Sequence, residues 1–226
     1  MVQQVKTISQ RLLILPSIVA DTDDTFFLER SLYTRGFSCV AGLDEAGRGP
    51  LAGPVVAACV ILPPCCNSSL FLDSKILSHA RRCSLVQVLA DIGALTGVGI
   101  VSTTTIDRIN ILQASLLAMK RAVANLPTFA PSPDVLLIDG TFKIPMDTPQ
   151  LTLVRGESKS ASIAAASILA KVTRDAMMTE LDQQFPVYNF CRNKGYPTVE
   201  HRQAIARYGP TACHRQTFKG VKEFVR

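Results

Sequence analysis

The sequence predicts an α/β fold in which five strands form one sheet and helices cover it. Three observations support this class. Five apolar runs have the length of buried strands, segments with a helical apolar face lie between most of them, and two runs end in acidic residues and glycine. The five runs lie at residues 37–44, 55–62, 97–102, 135–139 and 151–154. Because ligands of open α/β sheets bind beyond the carboxyl ends of strands, the acidic endings also predict where a site lies.

The front of the chain predicts a helix followed by a pair of strands. Acidic residues within 21–24 can cap a helix over residues 25–35, and Gly36 is placed to end it. The first two strands are separated only by a glycine-rich turn. This spacing predicts that they pair in antiparallel fashion.

Four more helices are predicted in the rest of the chain. Ser78 can cap a helix that ends near Asp91, and Thr105 can cap a longer amphipathic helix that ends near Val123. A helix over residues 161–183 is rich in alanine, so it can pack closely on the sheet. The last helix covers residues 199–208.

Length and composition indicate one domain, or one domain with a small appendage. The 226 residues are 47% hydrophobic, which is enough to bury a sizeable core. Lys and Arg total 24 against 18 Asp and Glu, which gives a net charge of +6. This balance favours a polyanionic partner, with nucleic acid the leading candidate, although a basic enzyme without such a partner has the same balance.

Cysteine usage and the N-terminus bear on the compartment. The seven cysteines are an odd number without a Cys-x-x-Cys pair, which fits a reducing cytosol. Residues 11–20 resemble the apolar part of a signal peptide, but Pro16 interrupts them. No segment approaches the roughly 20 apolar residues that span a bilayer. We therefore expect a cytoplasmic protein with an N-terminal extension and no membrane segment.

The strongest chemical signal follows the first strand. Its apolar run ends in Asp44 and Glu45, and a turn with Gly47, Arg48 and Gly49 comes next. Adjacent acids repel each other, so a buried strand end that carries them usually has a cation to offset the charge. Glycines also let a phosphodiester approach the backbone. The pattern predicts a metal-dependent site for a phosphate ester, although an Asp-Glu pair before glycine is equally typical of a solvated turn.

Two further acids are candidates for the same site. The fourth strand ends in Asp139 and Gly140, so Asp139 can meet Asp44 beyond the sheet. On the alanine-rich helix, Lys171 and Asp175 lie one turn apart and share a face. From the residues alone, a surface ion pair is the simpler interpretation of Asp175.

The last forty residues combine basic and aromatic side chains. Residues 192–198, which include Tyr196, and residues 214–219 can neutralise phosphates and stack on sugars or bases. The aromatic residues can equally serve packing. The three histidines are too scattered for a zinc site, and we expect His201 and His214 to be structural.

Six short motifs occur in order between residues 39 and 220. They cover residues 44–50, 73–75, 106–110, 138–140, 164–175 and 194–198, the last together with His201. In these motifs the chain resembles the type 2 ribonucleases H, the family of bacterial ribonuclease HII. Six blocks in the right order make the resemblance specific.

The resemblance implies a ribonuclease H-like fold: a five-stranded mixed sheet, three strands antiparallel and two parallel, flanked by helices. It divides the chain into an N-terminal extension with a lead-in helix (1–38), a catalytic domain (39–185) and a basic, helical, substrate-binding C-terminal region (186–226). Glu157 stands where the family usually has aspartate, which puts only the local geometry of that loop in question.

The resemblance also implies a site. Four carboxylates would be catalytic and would hold two divalent cations, Mn²⁺ or Mg²⁺: Asp44, Glu45, Asp139 and Asp175. Five residues would bind substrate: Gly47, Arg48, Gly49, Lys75 and Tyr196. In the family, the turn that matches Gly47, Arg48 and Gly49 senses the ribose 2′-hydroxyl, and the tyrosine that matches Tyr196 stacks on the neighbouring sugar.

The implied function is endonucleolytic cleavage of the RNA strand of RNA-DNA hybrids and cleavage 5′ to ribonucleotides in duplex DNA. The products would carry 3′-hydroxyl and 5′-phosphate ends, and the role would be removal of RNA primers and misincorporated ribonucleotides. We expect a monomer that contacts replication proteins. Two alternative functions remain, and each can be distinguished by experiment. A DNA-junction nuclease of the same fold would cut substrates without ribose. A hybrid-binding protein without activity would keep its binding after loss of Asp139.

Overall fold

The computed structural model describes residues 24–71 and 77–225, which form one five-stranded sheet with helices on both faces. The strands are β1 Val40–Ala46, β2 Val55–Ile61, β3 Leu95–Val101, β4 Val135–Asp139 and β5 Gln150–Leu153. Their order is β3-β2-β1-β4-β5. Strands β1, β2 and β3 pair in antiparallel fashion, whereas β4 runs parallel to β1 and β5 parallel to β4. The predicted mixed sheet is confirmed.

Seven α-helices lie within the described residues. They are α1 Phe27–Tyr33, α2 His79–Asp91, α3 Thr103–Ile109, α4 Ile111–Ala124, α5 Ala161–Gln184, α6 Phe190–Asn193 and α7 Val199–Tyr208. The predicted caps Ser78 and Gly36 are confirmed, since the Ser78 side chain accepts from the Arg81 amide and Gly36 takes a φ of +84° after α1. Lys75 and its motif, and residues 1–23, lie outside the described residues.

The helix predicted from Thr105 to Val123 is instead two helices. Ser102 caps the first by accepting from the Thr105 amide. Asn110 then adopts a φ of +67°, which interrupts the helix, and its side chain accepts from the Gln113 amide to start α4. Apolar residues of α3 and α4 pack in the same core cluster, so the apolar periodicity continues across the break and conceals it.

Helices α4 and α5 cover opposite faces of the sheet. Apolar residues of α4 pack with those of β1 and β2 that point to its side. The alanine-rich first half of α5 packs on the other face, as predicted. Contact there is close, because a Cβ on Gly42 of β1 would lie 2.2 Å from the backbone carbon of Ser162. This packing carries α5 past the carboxyl end of β1.

The C-terminal region packs against the turn that follows β1. We call residues 47–54 the glycine turn. Its Leu51 and Ala52 share a buried apolar cluster with Phe190, Ile205 and other residues of the C-terminal region. No helix in the described ranges is long and apolar enough to cross a membrane.

Candidate active site

A cleft of about 490 Å³ lies where β1 and β4 end and the glycine turn begins. Seven of the predicted site residues line it: Asp44, Glu45, Gly47, Arg48, Gly49, Asp139 and Tyr196. Asp175 is not among the lining residues, although its neighbour Arg174 and its partner Lys171 are. Lys75 falls outside the described residues.

Register brings the acids of two strands together. The sequence had suggested that Asp44 and Glu45 end the first strand. In the structure β1 continues to Ala46, so both residues lie inside the strand. Their side chains therefore start from opposite faces of the sheet. The parallel pairing of Leu43 with Ile138 places Asp139, the last residue of β4, beside Asp44.

Asp44 is almost completely buried, with 4% of its surface exposed. One carboxylate oxygen, Oδ1, accepts from the Glu45 amide at 2.7 Å. Burial raises the pKa of Asp44 well above its usual value, and the charges of Glu45, Asp139 and Glu157 raise it further. An acid in this position is short of positive charge, and a bound cation would supply it.

Glu45 and Asp139 are each held by a nearby polar group. Burial raises the pKa of Glu45, although Arg48, whose Nη1 lies 3.2 Å from Glu45 Oε1, acts in the opposite direction. Asp139 Oδ1 accepts from the Gly156 amide at 2.7 Å. That hydrogen bond fixes Asp139 against the loop that leads into α5.

Asp175 is buried beside a lysine on its own helix. Lys171 Nζ lies 2.7 Å from Asp175 Oδ1, and His79 Nδ1 lies 3.9 Å from Asp175 Oδ2. The side chain of Asp175 is only 4% exposed, so the pair is not the solvated surface pair that the residues alone suggested. Through Lys171 the pair reaches the wall of the cleft.

Sequence reasoning missed several residues that line the cleft. Glu157 appeared only as a departure from the family pattern, yet its charge acts on Asp44. Ser167 also lines the cleft and hydrogen-bonds Asp44. The signal was present, because Ser167, Lys171 and Asp175 recur every four residues on one face of α5. Arg82 of α2 and Arg174 of α5 add basic groups to the wall.

The two glycines that flank Arg48 differ in their surroundings. Gly47 has a φ of +97°, and a Cβ there would lie 2.1 Å from Arg174 Nε. At Gly49 the nearest atom to an added Cβ would be Cε1 of Tyr196, at 3.7 Å, which is an ordinary contact. The fold therefore requires a glycine at position 47, whereas residues 24–71 and 77–225 leave room for a side chain at position 49. Tyr196 is 43% exposed and faces this space.

Two buried arginines lie beneath the glycine turn. Arg174 and Arg215 are 1% and 0% exposed, and their guanidinium groups donate to backbone carbonyls of the turn. Burial, reinforced by the charge of Arg174, lowers the pKa of Arg215 to about 9, so Arg215 remains charged at neutral pH. The expectation that residues 214–219 neutralise phosphates is wrong for Arg215, because no substrate can reach it.

His201 and His214 form a buried pair and are structural, as expected. Thr211 N donates to His214 Nδ1 at 3.0 Å, so the proton of His214 is on Nε2. That nitrogen lies 3.1 Å from His201 Nε2, and His201 Nδ1 then donates to the Tyr196 carbonyl at 2.9 Å. Burial lowers the pKa of both rings, that of His214 to about 4. The neutral pair fixes the backbone of Tyr196.

The carboxylates of the cleft fit a hard divalent cation in donor type and in charge. Mg²⁺ and Mn²⁺ prefer oxygen ligands, and burial together with the neighbouring acids raises the pKa values of Asp44 and Glu45, an effect that a bound cation would offset. Across residues 24–71 and 77–225, no three His, Cys, Asp or Glu side chains are already grouped as a metal-binding set. The fit therefore rests on the chemistry of the donors.

Comparisons with known proteins agree on one family. The family model for ribonuclease HII matches residues 41–221. A ribonuclease HII of Desulfotalea psychrophila is 58% identical over 212 residues, which cover 94% of each chain. Ribonuclease H2 of Pyrococcus horikoshii has a similar structure, with a TM-score of 0.67 and 25% identity over 83% of this chain and 97% of that one. The ribonuclease HII of Archaeoglobus fulgidus, solved in complex with PCNA, has a TM-score of 0.62 and 26% identity over 80% and 96% of the two chains.

Proposed function

The chain belongs to the ribonuclease HII family, and from this premise we propose that it is a metal-dependent endonuclease that selects ribonucleotides in duplex nucleic acid. It hydrolyses the RNA strand of RNA-DNA hybrids and cuts DNA on the 5′ side of an embedded ribonucleotide. The products carry 3′-hydroxyl and 5′-phosphate ends. The observation that carries the proposal is that three acids, Asp44, Glu45 and Asp139, share one cleft with the glycine turn.

The acids provide the reaction centre. Asp44, Glu45 and Asp139 hold the divalent cations, and Asp175 joins them from α5, where Lys171 otherwise neutralises it. When bound, two such ions lower the pKa of an attacking water and stabilise the departing oxygen. Asp44 and Glu45 must lose their protons before they can act as ligands, and their raised pKa values delay this loss to higher pH.

The glycine turn and Tyr196 select the sugar. The space between Gly49 and Tyr196 is open in the free protein and lies in the same cleft as the acids. A ribose placed there has its 2′-hydroxyl next to peptide groups and one face against the tyrosine ring. Because the 2′-hydroxyl is the group that distinguishes RNA from DNA, this space discriminates between the two sugars.

The basic wall positions the phosphate backbone. Arg48, Arg82 and Lys171 line the cleft around the acids and can attract phosphates on both sides of the scissile bond. Arg48 is half exposed and leaves Glu45 to reach a phosphate at the cost of one ion pair.

We extend the proposal to the organisation and role of the protein. Residues 39–185 form the catalytic part, 186–226 support substrate binding, and 1–38 form an extension. The protein acts in the cytoplasm as a monomer and removes RNA primers and misincorporated ribonucleotides. The PCNA complex of the Archaeoglobus relative supports contact with replication proteins.

The test uses three end-labelled duplexes: DNA with one ribonucleotide, an RNA-DNA hybrid, and DNA alone. Each is incubated with Mg²⁺, with Mn²⁺ and with EDTA, and the product ends are mapped. We expect metal-dependent cuts on the 5′ side of the ribonucleotide and in the RNA strand, with no cut in DNA alone. Cleavage of the all-DNA duplex would favour a junction-type nuclease, and binding without cleavage would favour a hybrid-binding protein.

A further inference from the structure

The buried guanidinium of Arg215 holds the part of the glycine turn that faces substrate. Its Nη2 donates to the Gly47 carbonyl at 2.5 Å, and its Nη1 donates to the Arg48 carbonyl at 2.9 Å. The same side chain also donates to the carbonyls of Gly53 and Pro54, at the other end of the turn. One side chain therefore joins both ends of the turn.

The orientation of the carbonyls determines where the amides point. In a planar trans peptide the C=O and the following N–H point in opposite directions. Because Arg215 draws the carbonyls of Gly47 and Arg48 inward, the N–H groups of Arg48 and Gly49 point away from it. Within residues 24–71 and 77–225, neither N–H donates to a protein acceptor. Two successive free N–H groups form a concavity that binds an oxygen atom with negative charge or a lone pair.

Arg174 supports the same arrangement from α5. Its Nε and Nη2 donate to the carbonyls of Pro54 and Ala52, and its Nη1 donates to the Lys194 carbonyl, close to Tyr196. Arg174 thus connects the turn to the segment that carries the tyrosine. Its carbon chain also packs directly under Gly47.

The segment around Arg215 is itself anchored to the catalytic part. Arg215 N donates to the Leu51 carbonyl at 2.8 Å, and Gly53 N donates to the Cys213 carbonyl at 2.8 Å. Asp107 of α3 accepts from the amides of Gln216 and Thr217 at 2.9 and 3.0 Å. The position of Arg215 is therefore set from two sides.

We propose that Arg215 is a positioning residue for ribose selection, which acts through the peptide groups of Gly47, Arg48 and Gly49 without touching the nucleic acid. Complete burial excludes direct contact, and the carbonyl bonds give the route by which Arg215 acts. The proposal rests on the proposed function, because it explains how the turn that selects ribose keeps its shape. The chemical group recognised is the ribose 2′-hydroxyl, whose oxygen accepts from the exposed amides.

The experiment compares Arg215→Lys with Arg207→Lys. Lysine keeps the charge but has a single ammonium in place of the planar fork, so it cannot hold both carbonyls in the same geometry. Arg207 is an exposed arginine of the same C-terminal region, and Arg207→Lys serves as the matched control. Asp107→Ala is a milder second variant, because it loosens the anchored segment from the protein surface and leaves Arg215 intact.

Two readouts are needed. The first is the amide hydrogen exchange and the ¹⁵N chemical shifts of Arg48 and Gly49. These report the backbone conformation of the turn and do not depend on enzyme activity. The second is the ratio of the Kd for all-DNA duplex to the Kd for the duplex with one ribonucleotide, measured in EDTA at a temperature where each variant is folded. We expect faster exchange at the turn and a ratio reduced about tenfold in Arg215→Lys, which corresponds to loss of roughly one well-aligned hydrogen bond. Asp107→Ala should change both readouts in the same direction by less, and Arg207→Lys should change neither.

The outcomes separate this proposal from the proposed function. A perturbed turn with an unchanged Kd ratio would refute the role of Arg215 in ribose selection, and so would a Kd ratio that falls while the turn amides stay as in the wild type. A lower melting temperature alone, with both readouts unchanged in the folded protein, would mean that Arg215 is only structural. If the wild type itself neither cuts nor prefers ribonucleotide substrates, the proposed function fails, and the amide exchange still decides whether Arg215 holds the turn.

Discussion

Alanine at position 49, compared with alanine at position 47, separates substrate recognition from folding in the glycine turn. The family resemblance implied that both glycines serve the ribose. Among the described residues, an added Cβ at Gly49 meets Cε1 of Tyr196 at 3.7 Å, whereas one at Gly47 overlaps Arg174 at 2.1 Å and the Pro54 carbonyl at 2.9 Å. The two substitutions should therefore fail for different reasons.

The structure sets the expected magnitudes. For Gly47→Ala, the positive φ costs about 1–2 kcal/mol and the overlap with buried atoms about 1–3 kcal/mol, so the free energy of unfolding should fall by roughly 2–5 kcal/mol. For Gly49→Ala, the change in that free energy should stay within about 0.5 kcal/mol. The methyl group occupies the space assigned to the sugar, and a displacement of about 1 Å there should lower kcat/KM about 100-fold.

The assay measures both quantities on the same preparations. Urea unfolding gives the free energy of unfolding, and cleavage of a duplex with one ribonucleotide gives kcat/KM below the melting temperature of each variant. Wild-type kcat/KM in Gly49→Ala would refute the assignment of this space to the ribose. Wild-type stability in Gly47→Ala would refute the packing explanation for that glycine.

Three further predictions follow from the buried ionisable groups. The pKa of His214 falls from 6.5 to about 4 on folding, and that of His201 also falls, so the unfolded state binds more protons than the folded state between these values. The free energy of unfolding should therefore decline as the pH drops below about 6.5, and the decline should be weaker in His214→Gln. An equal decline in the wild type and in His214→Gln would contradict this. Burial raises the pKa of Glu29, whose Oε1 accepts from the Ser160 hydroxyl and the Ser162 amide. Glu29→Ala removes this acceptor and should lower the free energy of unfolding by about 1–3 kcal/mol, whereas Glu29→Gln keeps an oxygen acceptor and should lose less; equal losses in urea unfolding would contradict this role of the acceptor. The pKa values of Asp44 and Glu45 are raised above their ordinary 3.8 and 4.5, so protons compete with the cation above those values. Mn²⁺ affinity measured by calorimetry should therefore rise with pH beyond them, and an affinity that does not change with pH would argue against these ligands.

Most of the fold could be predicted because local patterns determine it. Apolar runs of strand length gave all five strands within three residues at each end, and the predicted cap Ser78 starts its helix with a local side-chain hydrogen bond. The break at Asn110 was missed because the apolar periodicity continues through it. The end of β1 was misplaced because two charged residues usually mark a turn, whereas the pairing of Glu45 with Ala57 and of Ala46 with Val56 shows that the strand continues.

The candidate site could be predicted only where its residues sit in adjacent motifs. Asp44, Glu45 and Asp139 follow apolar runs, so their positions at one edge of the sheet could be inferred. The role of Arg215 could not, because its carbonyl partners lie more than 160 positions away in the sequence and no local pattern distinguishes a buried arginine from an exposed one. Its neighbours in sequence are basic and aromatic, which suggested a surface that binds phosphate.

Cleavage of a duplex with a single ribonucleotide by Asp139→Asn and Asp147→Asn tests the central claim most directly. Both substitutions remove one carboxylate charge, but Asp139 lies in the cleft beside Asp44, whereas Asp147 is exposed in the loop before β5 and outside the cleft. With Mg²⁺ or Mn²⁺, the wild type and Asp147→Asn should cut on the 5′ side of the ribonucleotide at similar rates. Asp139→Asn should be slower by about 100-fold or more while it still binds the duplex. Equal rates in the two variants would contradict the assignment of the cleft as the site of phosphodiester hydrolysis.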